Sequence, residues 1–386
     1  MIHVVTGAQW GDEGKAKIVE LLSSTNKYDY VVRFAGGANA GHTVVVNGNK
    51  RVFHLLPSAI ENTDKCFIGS GCVVDVFQLK KEIEEFKNLS IFKQVYLSPK
   101  AHVVLDVYKE WEGSLEKVLN IGTTKKGIGQ AYAMKALRGG IRFTDLKSPT
   151  LDLATKVAKI LSTDEEKIVS NIETIKSVIK ELVEQNLLII EDLEAEMRSN
   201  PESLILLEGA QGVMLDINSD TYPYVTSSMT TATGAIAQAG LSWKNGVLSI
   251  GIFKPYITKV GEGEFETEIH GSVADHICEV GHEYGSTTGR KRRIGWLNLD
   301  QLKTACEINA YDKLAMMKVD VLFGLEKIGV YFDGSLQEIK GFSSIEDDSF
   351  KNLVSLVEYQ TNAPVSIISY GPDRSETFVN KFRKNL

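Results

Sequence analysis

One pattern recurs along this chain: a short apolar run that ends in a glycine-rich loop. Ile2 to Thr6 leads into GAQWGDEGKAK, Val31 to Phe34 into AGGANAGHT, and Leu204 to Leu207 into EGAQG. Met316 to Leu322 leads into FGL, and Ser366 to Ser369 into YGPDR. Short, often β-branched runs bounded by turn residues read as buried strands. Helical spacing lies between them, at Lys15 to Ser23, Val74 to Phe86 and Asn298 to Ala310. Alternating strand and helix predicts an α/β layer fold, with a large, mostly parallel central sheet flanked by helices. In such sheets ligands gather at the carboxyl ends of the strands, where these loops sit.

Residues 151–200 differ in character. Ile168, Ile172, Ile175, Ile179 and Leu182 keep helical spacing in a Lys- and Glu-rich background, and Asn200-Pro201 ends the segment. It reads as a helical insertion capping one side of the sheet. No repeat or Pro/Ser-rich linker divides the chain, so residues 1–386 are expected to form one catalytic domain. The first residues go straight into a strand, without the pattern of a signal peptide. No apolar run approaches the ~20 residues of a spanning helix. Lys+Arg is 43 and Asp+Glu is 50, a net charge of −7, which argues against general nucleic-acid binding. Cys66, Cys72, Cys278 and Cys306 lack metal-ligand spacing and read as packing residues. A cytoplasmic protein with reduced thiols is expected.

Three loops carry chemistry. Gly7-Ala8-Gln9-Trp10-Gly11-Asp12-Glu13-Gly14-Lys15-Ala16-Lys17 joins a strand to a helix, where amide N–H groups and the helix dipole favour phosphate. Gln9 and Ala16 break the strict Walker A pattern, so this is either a phosphate loop of another kind or an ordinary glycine turn. An aspartate inside it suits Mg²⁺ binding or proton removal. Gly36-Gly37-Ala38-Asn39-Ala40-Gly41-His42-Thr43 surrounds a histidine with small residues. That ring either works on a ligand or is a satisfied structural histidine. Gly285-Ser286-Thr287-Thr288-Gly289-Arg290-Lys291-Arg292-Arg293 sets four cations behind paired threonines. In an acidic protein it suits capture of a small anion better than a nucleic-acid face.

WGDEGKAK, GGANAGHT, IGTTKKGIGQAY, EGAQGVMLDI, TYPYVTSS, GSTTGRKRRIGW, KVDVL and SYGPDRSET occur in one order between Val4 and about Thr377. Together they resemble the adenylosuccinate synthetase family, GTP-dependent ligases with a P-loop-NTPase-like sheet. The resemblance implies transfer of a phosphoryl group to the 6-oxygen of IMP, then its displacement by the amine of L-aspartate. It makes Asp12, His42 and Gln211 catalytic, with Asp12 and the Gly41 carbonyl holding Mg²⁺. It assigns IMP to Asp12, Lys15, Asn39, Thr124, Arg138, Gln211, Thr226 and Arg290. Arg138 matches an arginine that reaches the nucleotide of a second subunit, which implies a homodimer. GTP falls to Gly11, Glu13, Gly14, Lys15, Lys17, Gly41, Thr43, Arg292, Lys318, Asp320, Ser369 and Gly371. Aspartate falls to Ser286, Thr287, Thr288, Arg290 and Arg292. Asp320 would accept from guanine N1–H and the 2-amino group, a pair adenine lacks.

Some positions depart from the usual family pattern. Ala16 stands for glycine, Lys125-Lys126 for Gly-Arg, Gln130 for proline and Met229 for asparagine, and the chain is shorter between Gly324 and Ser366. Phage-type relatives aminate dGMP instead of IMP and often lack an aspartate at position 12. Asp12 is present, which favours IMP and leaves dGMP as the alternative. A guanine-nucleotide switch without ligase activity needs neither the cationic loop nor the Asp12, His42 and Gln211 set. A kinase releasing a phosphorylated purine has no use for that cationic loop either.

Overall fold

The computed structural model describes residues 1–89, 91–92, 94–285 and 289–380. Ile2, Val4 and Val5 have no exposed surface, so the strand they form is buried on both faces. Its two polar side chains are satisfied inside: His3 Nδ1 lies 2.7 Å from the Tyr28 hydroxyl, and Thr6 Oγ1 lies 2.8 Å from that of Tyr311. This strand sits within a ten-stranded sheet. Numbered in chain order, the strands of that sheet are β1 (Ile2–Gly7), β2 (Tyr30–Arg33), β3 (Cys66–Ile68), β4 (Val95–Leu97), β5 (Leu188–Ile190), β6 (Ile205–Gly212), β7 (Val247–Phe253), β8 (Lys313–Met316), β9 (Val365–Ser369) and β10 (Thr377–Val379). Their spatial order is β10-β9-β8-β7-β1-β6-β2-β3-β4-β5. Every pairing is parallel except β9 with β10. Parallel neighbours require crossovers, and the helices supply them.

The helices follow their apolar periodicity. α1 (Lys15–Thr25) leaves β1 directly. α2 (Val76–Asn88) starts at Asp75, whose carboxylate accepts the Phe77 and Gln78 N–H groups, and it buries Leu79, Ile83 and Phe86. α3 (Asp106–Leu119) and α4 (Ile128–Ala136) come next. In the insertion, α5 (Thr150–Leu161) packs on α6 (Glu165–Glu184), which buries Ile168, Ile172, Ile175, Ile179 and Leu182 as its spacing requires. A second sheet of four strands contains Tyr256–Lys259, Arg293–Asn298, Lys327–Phe332 and Ser335–Lys340. No helix among the described residues is long and apolar enough to cross a membrane.

Two expectations on local structure change. The insertion is not helical throughout: after α6 the apolar run Leu188 to Ile190 forms β5, which pairs with β4 at the sheet edge. A strand there satisfies the open edge of β4 that a helix would leave unpaired. The run from Met316 to Leu322 is also not one strand. β8 ends at Met316, Lys318 turns left-handed at φ 55°, and Val319–Leu322 makes a single 3₁₀ turn.

Candidate active site

The loop from β1 to α1 is shaped around one carboxylate. Glu13 is fully buried, and its Oε1 accepts the Gly11 N–H at 2.8 Å and the Gln9 N–H at 3.2 Å. Its Oε2 takes the Lys15 ammonium at 2.5 Å. A Cβ on Gly7 would lie 2.4 Å from Glu13 Oε2, and one on Gly212 would lie 2.5 Å from Oε1, so only glycine fits at either position. The Gln9 side chain donates to the Lys254 carbonyl and accepts the Lys254 N–H, both at 3.0 Å. The residue that breaks the Walker pattern thus pins the loop to the end of β7. Asp12 occupies a left-handed conformation, φ 58°, which sets its carboxylate outside this braced interior.

A second group forms where β2 and β6 end. His42 Nδ1 lies 2.5 Å from Oε1 of the fully buried Glu208. Glu208 also accepts the Ser58 N–H at 2.8 Å and the Ser58 hydroxyl at 2.6 Å. Burial, and then the nearby Arg33, hold the imidazole of His42 down, at about 4. The free ring is therefore neutral at pH 7, and its Nδ1–H donates to Glu208, leaving Nε2 for the cavity that His42 lines. The β1–β6 register shifts after Val5, with Val5 opposite Glu208 and Gly7 opposite Gly212. Residues 209–211 therefore bulge, which turns Gln211 left-handed at φ 56° and onto the cavity. The buried Gln211 Oε1 has no hydrogen-bond partner among the described residues.

The third group reaches across from the second sheet. Arg292 is buried, with Nε 2.7 Å from Asp12 Oδ2 and NH1 2.5 Å from Glu283 Oε2. Lys318 donates to Glu283 Oε1 at 2.8 Å and to the Gly281 carbonyl at 2.7 Å. Two residues on, Asp320 is half-buried, and its Oδ1 is buried without a hydrogen-bond partner among the described residues. Burial raises the Asp320 carboxyl above its ordinary value. Lys17 donates to Ser369 Oγ and the Gly371 carbonyl, both at 2.8 Å, and burial lowers its ammonium to about 8.

These groups line one cavity of about 1140 Å³ at the carboxyl ends of β1, β2, β6, β8 and β9. Gly11, Asp12, Gly14, Lys15, Lys17, Asn39, Gly41, His42, Thr43, Thr124, Gln211, Thr226, Arg290, Arg292, Lys318, Ser369 and Gly371 all face it. Glu13 lies beneath it as the brace described above, and Asp320, in the 3₁₀ turn that follows Lys318, is not part of the wall. Arg138 is exposed just past α4, left-handed at φ 60°, and does not reach this cavity. Ser286, Thr287 and Thr288 lie outside the described residues. Of the departures, Gln130 is buried and lines the cavity, whereas Met229 is exposed and does not.

No group of three or more His, Cys, Asp or Glu suited to a metal occurs among the described residues. Asp12, with its carboxylate, and Gly41, with its carbonyl, share the cavity wall. Mg²⁺ takes few protein oxygens when phosphate and water fill the rest of its shell, so this donor set fits it.

Glu208, Glu283, Lys254 and Tyr256 escaped the reading of the sequence. Glu208 had a signal, a carboxylate directly after the apolar run of β6. The other three had none, since their sequence neighbours do not announce the cluster they form in space.

A family model described as adenylosuccinate synthetase matches residues 4–334. Adenylosuccinate synthetase of Thermotoga maritima is 41% identical, over 96% of this chain and 98% of that protein. The Thermus thermophilus protein is 38% identical, with 97% of each covered. The structure of fully ligated adenylosuccinate synthetase from Plasmodium falciparum superposes with a TM-score of 0.86 at 34% identity, covering 98% of this chain and 99% of that one. Cyanophage S-2L succinoaminodeoxyadenylate synthetase, solved with dGMP and dATP as an energy donor, shares the fold at a TM-score of 0.71 and 19% identity. Spanning almost the full length of these proteins, the chain belongs to the adenylosuccinate synthetase family, ligases that form a C–N bond.

Proposed function

We propose that the chain joins L-aspartate to IMP at the expense of GTP, giving adenylosuccinate, GDP and phosphate, and that the whole chain acts as one catalytic unit. The observation that carries this reading is the convergence of Asp12, His42 and Gln211, from three separate segments, on one cavity with Arg292. Asp12 removes the proton from purine N1, which places negative charge on the 6-oxygen. Gln211 steadies that edge through its amide. The oxygen attacks the γ-phosphorus of GTP, the bond to the β–γ bridging oxygen breaks, and GDP leaves.

The neutral His42 ring gains a partner at this step. An arriving phosphoryl anion faces Nε2 while Glu208 already holds Nδ1, so protonation becomes favourable and the ring donates to the transferring group. Asp12 and the Gly41 carbonyl would hold Mg²⁺, which supplies charge neutralisation on the phosphates when bound. The amine of aspartate then attacks purine C6, the C–O bond to phosphate breaks, and the proton shed by the nitrogen passes to the departing phosphate. Arg290 and Arg292 hold the aspartate carboxylates, together with Ser286, Thr287 and Thr288. Asn39, Thr124 and Thr226 hold IMP, and Lys15, Lys17, Thr43 and the loop amides hold the GTP phosphates. Ser369, Gly371, Lys318 and Asp320 receive the guanine, and the partnerless Asp320 Oδ1 supports that assignment.

Arg138 is assigned to the IMP of a partner subunit in a homodimer. Its exposure away from its own cavity supports a role in trans. The deciding experiment offers IMP and dGMP in competition, with GTP and aspartate, and identifies the succinyl product by mass. IMP is the expected acceptor; turnover of dGMP alone contradicts the reading.

A further inference from the structure

Glu283 has no exposed surface and joins two residues of the cavity wall, Arg292 and Lys318. Its Oε1 accepts from Tyr256 at 2.7 Å, Lys318 at 2.8 Å and Lys254 at 3.1 Å. Its Oε2 accepts from Arg292 at 2.5 Å. The Arg292 N–H also donates to the Glu283 carbonyl at 3.0 Å, so backbone and side chain register the two residues together. Lys254 is wholly buried and donates to Thr258 Oγ1 at 2.6 Å. The carboxylate is thus anchored from below, while Arg292 and Lys318 both line the cavity.

The other end of the guanidinium matters here. Arg292 Nε is 2.7 Å from Asp12 Oδ2, yet its N–H is not aligned for a hydrogen bond. In the free protein the arginine therefore neutralises the carboxylate that must accept a proton, and it holds Asp12 by charge alone. An incoming carboxylate that offers aligned acceptors can draw the guanidinium away from Asp12. What stops the arginine from leaving altogether is its other contact, with Glu283.

We propose that Glu283 is a positioning residue for the cavity: it tethers Arg292 through NH1, so that the guanidinium turns from Asp12 to the aspartate substrate without leaving the site, and the same carboxylate fixes Lys318 beside the guanine pocket. Arg292 then has two anions to choose between and a fixed pivot. The inference rests on the ligase reading above, which supplies the aspartate substrate.

The test is steady-state kinetics on the full chain, varying IMP, GTP and L-aspartate in turn. Glu283→Gln removes the charge but keeps the shape, and the KM for aspartate is expected to rise about tenfold or more. The KM for GTP rises by less, through Lys318, and the KM for IMP stays within about twofold. A merely structural role would reduce the active fraction and lower kcat without this split. Tyr256→Phe keeps every charge and removes one bond to Oε1, so it serves if the first variant folds poorly; its aspartate KM is expected to rise about threefold. An unchanged aspartate KM in both variants overturns the tether, as does an equal rise for all three substrates. Phosphate release by the wild-type chain is measured first in the same assay. If it does not depend on aspartate, the ligase reading falls, whereas an unmoved aspartate KM in an active wild type removes the tether alone.

Discussion

The α5–α6 hairpin and the cavity wall bury side chains of opposite kinds. The hairpin hides Leu153, Val157, Ile168, Ile172 and Ile175, apolar groups whose removal from water is favourable at any angle of approach. The cavity wall and the layer behind it hide Glu13, Glu208, Glu283, Lys15, Lys17, Lys254 and Arg33, groups whose burial is unfavourable unless each finds a partner. Each of these carboxylates does find one: Lys15 for Glu13, His42 and Ser58 for Glu208, and four donors for Glu283. The hairpin thus holds the fold together, while the wall spends stability on fixing where charged atoms point.

That contrast can be broken at either end. Asp12→Asn keeps the size of the side chain and removes the base; kcat is expected to fall by about 10²–10⁴ with the melting temperature nearly unchanged, as read by stopped-time product assay and thermal unfolding. On the hairpin, Ile172→Ala should reduce unfolding free energy by about 2–5 kcal/mol in denaturant titration and leave kcat of the folded fraction intact. A large kcat loss there would mean that the insertion takes part in catalysis.

Between these extremes stands Glu208→Gln. It keeps a hydrogen bond to His42 but withdraws the charge that favours the imidazolium, and kcat should fall about 10–100-fold. If kcat is unchanged, Glu208 is packing and nothing more. The smallest effect is expected from Lys17, whose ammonium falls from 10.5 when unperturbed to about 8 in the fold. Between these values the unfolded chain binds more protons than the folded one, so this group makes the protein more stable as pH rises from about 8 to about 10.5. Over the same interval the neutral amine loses its attraction for phosphate, and kcat/KM for GTP should fall as pH passes about 8. Lys17→Met should flatten both profiles.

How much of this was legible in the sequence follows the same division. β1, β2, β6, α1, α2 and the apolar face of α6 were legible because the period of their apolar residues reports which side meets the core. β5 was hidden because three residues after a long helix carry no period, and its pairing depends on an edge left open by β4. In the site, the loops around Asp12 and His42 were visible from glycine and small residues placed at strand ends. The left-handed turns at Asp12, Gln211 and Lys318 were not, since glycine is the residue that conformation favours and Gln and Lys seldom adopt it. The Glu283 cluster was equally hidden. It draws Lys254 and Tyr256, Arg292, and Lys318 from three separate segments, and only the packing of the second sheet against the cavity brings them together.

The ligase reading stands on the cationic loop and the three catalytic side chains acting in one reaction, and a single assay addresses it: phosphate release from GTP by the wild-type chain, with IMP present, as a function of L-aspartate. Release that requires both IMP and aspartate, in equal amount to succinyl product, is the predicted result. Phosphate released without aspartate, or a phosphorylated purine accumulating in its place, would contradict it and return the chain to a nucleotide switch or a kinase.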